Sequence, residues 1–67
     1  MTWLSIKGPS DKESALVEVK VDGKLVHSVI LQSNETKTIK LESTSSTVSV
    51  EILYDGVSQG VKNVTLH

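Results

Sequence analysis

The sequence predicts an all-β chain, specifically a small Greek-key β-sandwich of about six short strands, with a small, partly open β-barrel as the alternative. Three observations carry this. Apolar residues alternate with period two in nearly every segment, most clearly in Val17-Glu18-Val19-Lys20-Val21. No segment sustains the 3.6-residue period of a helix over three turns. Turn signals such as Gly8-Pro9-Ser10-Asp11, Asp22-Gly23 and Asp55-Gly56 divide the apolar runs at spacings typical of sandwiches and barrels. Strands that are apolar on one face must hide it, and two small sheets packed together do so.

The first predicted strand is Thr2 to Lys7, with Leu4 and Ile6 on one face and Trp3 on the other. The Gly8 to Asp11 turn follows, and polar Lys12 to Ser14 continues the loop. Leu16 to Val21 is the clearest strand, with Val17, Val19 and Val21 set against Glu18 and Lys20. Asp22-Gly23 reads as a hairpin turn, because both residue types tolerate positive φ. Two registers compete for the returning strand, Leu25 to Gln32. A two-residue loop pairs Val19 with Val26. A three-residue loop pairs Val21 with Leu25 and places Val17, Val19, Val21, Leu25, Val29 and Leu31 on one face. The second buries more apolar area and is preferred; a one-residue slip would exchange the faces.

Ser33-Asn34-Glu35 is the next turn, and Thr36 to Glu42 the next strand, with Ile39 and Leu41 opposite in facing to Lys40. Ser43 to Thr47 is a polar Ser/Thr loop. Thr47 to Tyr54 is a strand with Val48, Val50, Ile52 and Tyr54 on one face. Gln59-Gly60 reads as a bulge or loop tip, and Val61 to Leu66 as the closing strand. Val17-Glu18-Val19-Lys20-Val21-Asp22-Gly23 is echoed by Val50-Glu51-Ile52-Leu53-Tyr54-Asp55-Gly56. Either hairpins converge on this pattern, or a hairpin has been duplicated.

Length and composition bound the function. The 67 residues make one domain, 1–67, near the lower limit of what folds alone. A core of this size rarely supplies more than roughly 3–5 kcal/mol of net stability. There is no cysteine, which excludes disulfides and thiolate metal sites. The net charge of −1 gives no electrostatic reason to seek nucleic acid or acidic lipid. Trp3 and Tyr54 are the only aromatics, too few for a base-stacking surface. No run approaches the roughly 20 apolar residues of a membrane helix. Met1 to Gly8 lacks the apolar core of a signal peptide. Two locations are therefore expected: extracytoplasmic for a domain of a longer exported chain, cytoplasmic for a complete small protein.

No catalytic constellation is visible. The two histidines are His27 and the last residue, His67, and no nucleophile–base pair is marked by a motif. His27 reads as a partly buried packing residue, because no second ligand stands at metal spacing. Asp11, Asp22 and Asp55 do not form a calcium loop, and the four glycines make no phosphate cradle. No enzyme activity, cofactor or metal is expected. Asn34-Glu35-Thr36 and Asn63-Val64-Thr65 match the glycosylation acceptor pattern, as chance allows in a chain rich in Ser and Thr. Trp3 either caps the end of the core or stands exposed as an anchor for a partner.

The run Val17-Glu18-Val19-Lys20-Val21-Asp22-Gly23-Lys24-Leu25-Val26, with Leu31 and Asn34-Glu35-Thr36-Lys37-Thr38-Ile39, resembles bacterial immunoglobulin-like adhesion-type modules, including the CARDB group. It is also similar to the periplasmic C-terminal domain of the RodZ family of cell-shape proteins. Asn34 stands where these families usually carry glycine. The resemblance implies an extracytoplasmic interaction or spacer domain without an active site. The expected function is accordingly protein–protein contact or a structural role in an envelope or surface assembly. The alternative is a self-standing small protein, phage-encoded in one version, that binds and modulates a host protein. Partner contact is expected at a sheet edge, through a partner strand or as a homodimer. The terminal strands are the least guarded, which singles out Trp3, Val61 and Val64. The competing expectation is that those strands pair with each other or with neighbours and leave no free edge.

Overall fold

The computed structural model describes residues 2–41 and 46–65, and the side chains of 3–41 and 46–65. Six strands form: β1 (Thr2–Lys7), β2 (Ser14–Val21), β3 (Lys24–Gln32), β4 (Thr36–Leu41), β5 (Thr47–Tyr54) and β6 (Val57–Thr65). There is no helix among the described residues. The chain builds a β-sandwich and not a closed barrel: an antiparallel pair β1-β4 faces a four-stranded sheet of order β3-β2-β5-β6. After the β2–β3 hairpin, β4 returns to lie beside β1, which is a Greek-key connection. The last strand begins at Val57 rather than Val61 because Gln59-Gly60 is a bulge inside it. The Ser/Thr loop expected from Ser43 falls largely on 42–45, outside the described residues, as do Leu66 and His67.

The alternation of apolar residues explains the core. Ile6, Ile39 and Leu41 from the pair meet Val17, Val19, Leu31, Val48 and Val50 from the larger sheet, and each is nearly inaccessible to water. The chain crosses between sheets at Gly8, which is buried against the Gln32 carbonyl and Leu31; a β-carbon there would strike backbone.

The first hairpin corrects the expected register. The turn has two residues, with φ of 52° at Asp22 and 82° at Gly23, and Val21 pairs with Lys24. A bulge at Val26 then shifts the ladder, so that Val19 pairs with His27 and Val17 with Val29. The core face is thus largely the one expected, reached by a different route. Leu25, however, is exposed, because it lies on the turn side of the bulge.

The echo between the two hairpins extends to all six strands. The displacement that carries Asp22 to Asp55 carries β2 onto β5 and β3 onto β6 end to end, and β1 onto β4 to within one residue. The pairing obeys it too. Val19 lies opposite Ile52, its own counterpart, and Ser5 opposite Thr38, its own counterpart. Both hairpins carry their bulge at the same place, Val26 in one and Gln59 in the other. Convergent hairpins share a turn but have no reason to share a bulge and the registers of two sheets. The chain is a three-strand unit used twice, its halves related by a two-fold axis through Val19–Ile52 and Ser5–Thr38.

Candidate interaction edge

Each sheet has two outer strands, so β1, β3, β4 and β6 all present an edge. The terminal strands do not pair with each other; β1 pairs with β4 and β6 with β5. Edges invite pairing by other chains unless a lysine, a bulge or an inward charge blocks them. The strand β3 starts at Lys24 and is bulged at Val26. The strand β4 carries Lys37 and Lys40. The strand β6 is bulged beside Gly60, and its Lys62 stands opposite core-face Val50, which makes it an inward-pointing charge. The strand β1 is different. From Trp3 to Ile6 it has no charge, and its register with β4 runs without a bulge.

Two hydrogen bonds show which backbone groups β1 leaves unpaired. The Gly8 N–H donates to the Glu35 carbonyl and prolongs the β1–β4 ladder, so the backbone groups of Leu4, Ile6 and Gly8 point towards β4. The Tyr54 hydroxyl donates to the Lys7 carbonyl from the other side, at 2.8 Å. Those of Trp3, Ser5 and Lys7 therefore point away from β4. The Lys7 carbonyl is taken by Tyr54, while the N–H and C=O of Trp3 and Ser5 face outward.

Beside this edge the small sheet fails to cover the large one. A recess of about 300 Å³ opens between β1 and β6, lined by Leu4, Ser5, Val50, Ile52, Lys62 and Val64 among others. Gln59 is shared with a second recess of about 450 Å³, which continues past Tyr54 and Val57 to the Gly8–Lys12 loop. The two-fold axis supplies an internal comparison. The counterparts of Gly60, Lys62 and Val64 are His27, Val29 and Leu31. Leu31 is only 1% exposed, whereas Val64 is half-buried and Lys62 exposed. On the β3 side His27 and Leu31 stand where β6 has Gly60 and Val64, and the recess there is smaller, about 220 Å³.

The three residues singled out from the sequence do not form one cluster. Val64 lines the recess, opposite Val48 in the ladder. Val61 lies on the far face of the large sheet, opposite Glu51, and is 61% exposed. Trp3 does not cap the core: its backbone belongs to the open edge, while its side chain is 62% exposed on the outer face. Sequence reasoning missed Leu4, Ile52 and Lys62 as one surface, since they come from three strands. His27 is half-buried opposite Val19, beside a smaller recess with Val21, Val26, Lys40 and Leu41. No group of three or more His, Cys, Asp or Glu able to hold a metal occurs among the described residues.

No protein-family model, curated protein or solved structure matches this chain.

Proposed function

We propose that this domain is a non-enzymatic protein-interaction module that accepts an extended segment of a partner along the free edge of β1. One observation carries the reading: the least guarded edge of the molecule lies directly above an uncovered apolar recess. A strand added there would take up the outward N–H and C=O groups of Trp3 and Ser5. Its inward side chains would cover Leu4, Ile52 and Val64. Backbone pairing would supply affinity, and the recess specificity.

The connectivity supports an immunoglobulin-like reading of the sandwich. In immunoglobulin domains strands B and E pair in one sheet, flanked by A and D, while C and F pair in the other. The β1-β4 pair corresponds to B and E, and β3-β2-β5-β6 to the sheet of C′, C, F and G. The vacant flank of β1 is then the place of strand A. A structural role in an envelope or surface assembly accords with this arrangement and with the resemblance of the first hairpin.

Ser5→Pro tests the proposal. Its N–H points outward, so proline removes an edge donor without breaking the β1–β4 ladder. Extended peptides selected from a display library on the native domain should shift the amides of Trp3, Ser5 and Lys7, and should lose binding to the folded Ser5→Pro variant. Selected peptides that map elsewhere and bind both proteins equally would refute it.

A further inference from the structure

We infer that the segment accepted at the β1 edge is acidic: an extended peptide with a carboxylate side chain flanked, two residues away on either side, by apolar ones. This inference rests on the reading of β1 as a docking edge and adds the chemistry of what docks. The recess between β1 and β6 contains one charged side chain, Lys62, and no acidic one. Lys62 lies opposite Val50, and its neighbours on the same face, Gly60 and Val64, are uncharged. Among the described residues no ion pair involves Lys62.

The counterpart position makes the lysine informative. On the other side of the two-fold axis Val29 stands there, half-buried against the core. A valine would serve packing at 62 equally well, so the ammonium is set over an apolar floor where packing does not call for charge. An added strand directs alternate side chains into the recess. Apolar side chains suit Ile52, Val64 and Leu4. A carboxylate between them would meet Lys62 in a partly desolvated site, where a charge-assisted hydrogen bond is stronger than on open surface. The competing role for Lys62 is solely to repel strands from β6, as inward charges do.

The test uses the full chain and three capped nine-residue peptides sharing the core Val-Thr-Xaa-Thr-Val, with Xaa glutamate, alanine or lysine. Affinities are read from amide shifts in two-dimensional NMR spectra. The glutamate peptide should bind about tenfold more tightly than the lysine peptide, with alanine between. High salt should compress the difference. Lys62→Glu should invert the order, and Lys62→Val should erase it by bringing the glutamate peptide down to the affinity of the alanine peptide. Equal affinities on the native chain, with Trp3, Ser5 and Lys7 amides shifting, would overturn the acidic partner and leave the edge reading standing. Peptides that leave those three amides unmoved would overturn the edge reading itself. A dimer in sedimentation that Ser5→Pro dissociates would assign the edge to a second copy and overturn the acidic peptide.

Discussion

Asp22 and Asp55 clamp opposite ends of the same strand pair in the same way. The Asp22 N–H donates to the Ser49 carbonyl, and the Ser49 N–H donates back to Asp22 Oδ1 at 2.9 Å. The Asp55 N–H donates to the Leu16 carbonyl, and the Leu16 N–H donates back to Asp55 Oδ1, also at 2.9 Å. Each aspartate therefore starts a positive-φ turn and also closes the β2–β5 ladder, which joins the two halves of the chain. Glycine could make the turn; only a side chain with an acceptor oxygen, as in aspartate or asparagine, makes the clamp.

The Asp55 clamp should be sensitive to acid. Its carboxyl is held below the usual carboxylate range, first by the Leu16 N–H and then by Lys12, whose Nζ lies 3.1 Å from Oδ2; partial loss of water opposes them. A depressed folded pKa stabilises the fold above the unfolded value of about 3.9 and is lost as pH falls through the folded value. Thermal melts should fall below about pH 4, and Asp55→Asn should flatten that limb while lowering stability at neutral pH. An unchanged acid limb in Asp55→Asn would remove Asp55 as its source.

Val19 and Ile52 should differ in weight although they are counterparts. Val19 is fully buried, whereas Ile52 is half-buried where the small sheet leaves the recess open. Val19→Ala should cost about 2–3 kcal/mol, and Ile52→Ala about 1 kcal/mol despite its larger side chain. Urea midpoints in the reverse order would mean that the recess is closed in solution.

The duplicated architecture predicts a tolerated circular permutation. Gln32 and Glu35 are joined by a turn, Glu35 N–H to Gln32 carbonyl at 3.0 Å. The displacement that relates the two halves makes Thr65 and Thr2 the counterparts of Gln32 and Glu35. A chain that begins at Asn34 and joins His67 to Met1 through a short glycine linker should keep the native amide spectrum outside the new junction, with stability within about 2 kcal/mol of the native chain. Collapse of the spectrum would contradict the two-fold relation between the halves.

Period two and turn chemistry are local properties, and they made much of this protein legible in advance. The bounds of β1 and β5, the inward face of Val48, Val50, Ile52 and Tyr54, and an irregularity at Gln59-Gly60, either a bulge or a loop tip, follow from alternation and from glycine placement. The register of the first hairpin does not. A bulge costs one residue of alternation, and in Leu25-Val26-His27 nothing local marks which residue is extra. Long-range pairing was equally hidden. That β4 lies beside β1, that Lys62 stands on the core face opposite Val50, and that the recess beside β6 is larger than the one beside β3 are consequences of how two sheets stack. The sequence by itself determined which faces must be buried, because apolar burial reads out along a strand. Only the tertiary structure decided which edge stays open, because an edge is defined by the strand that is absent beside it.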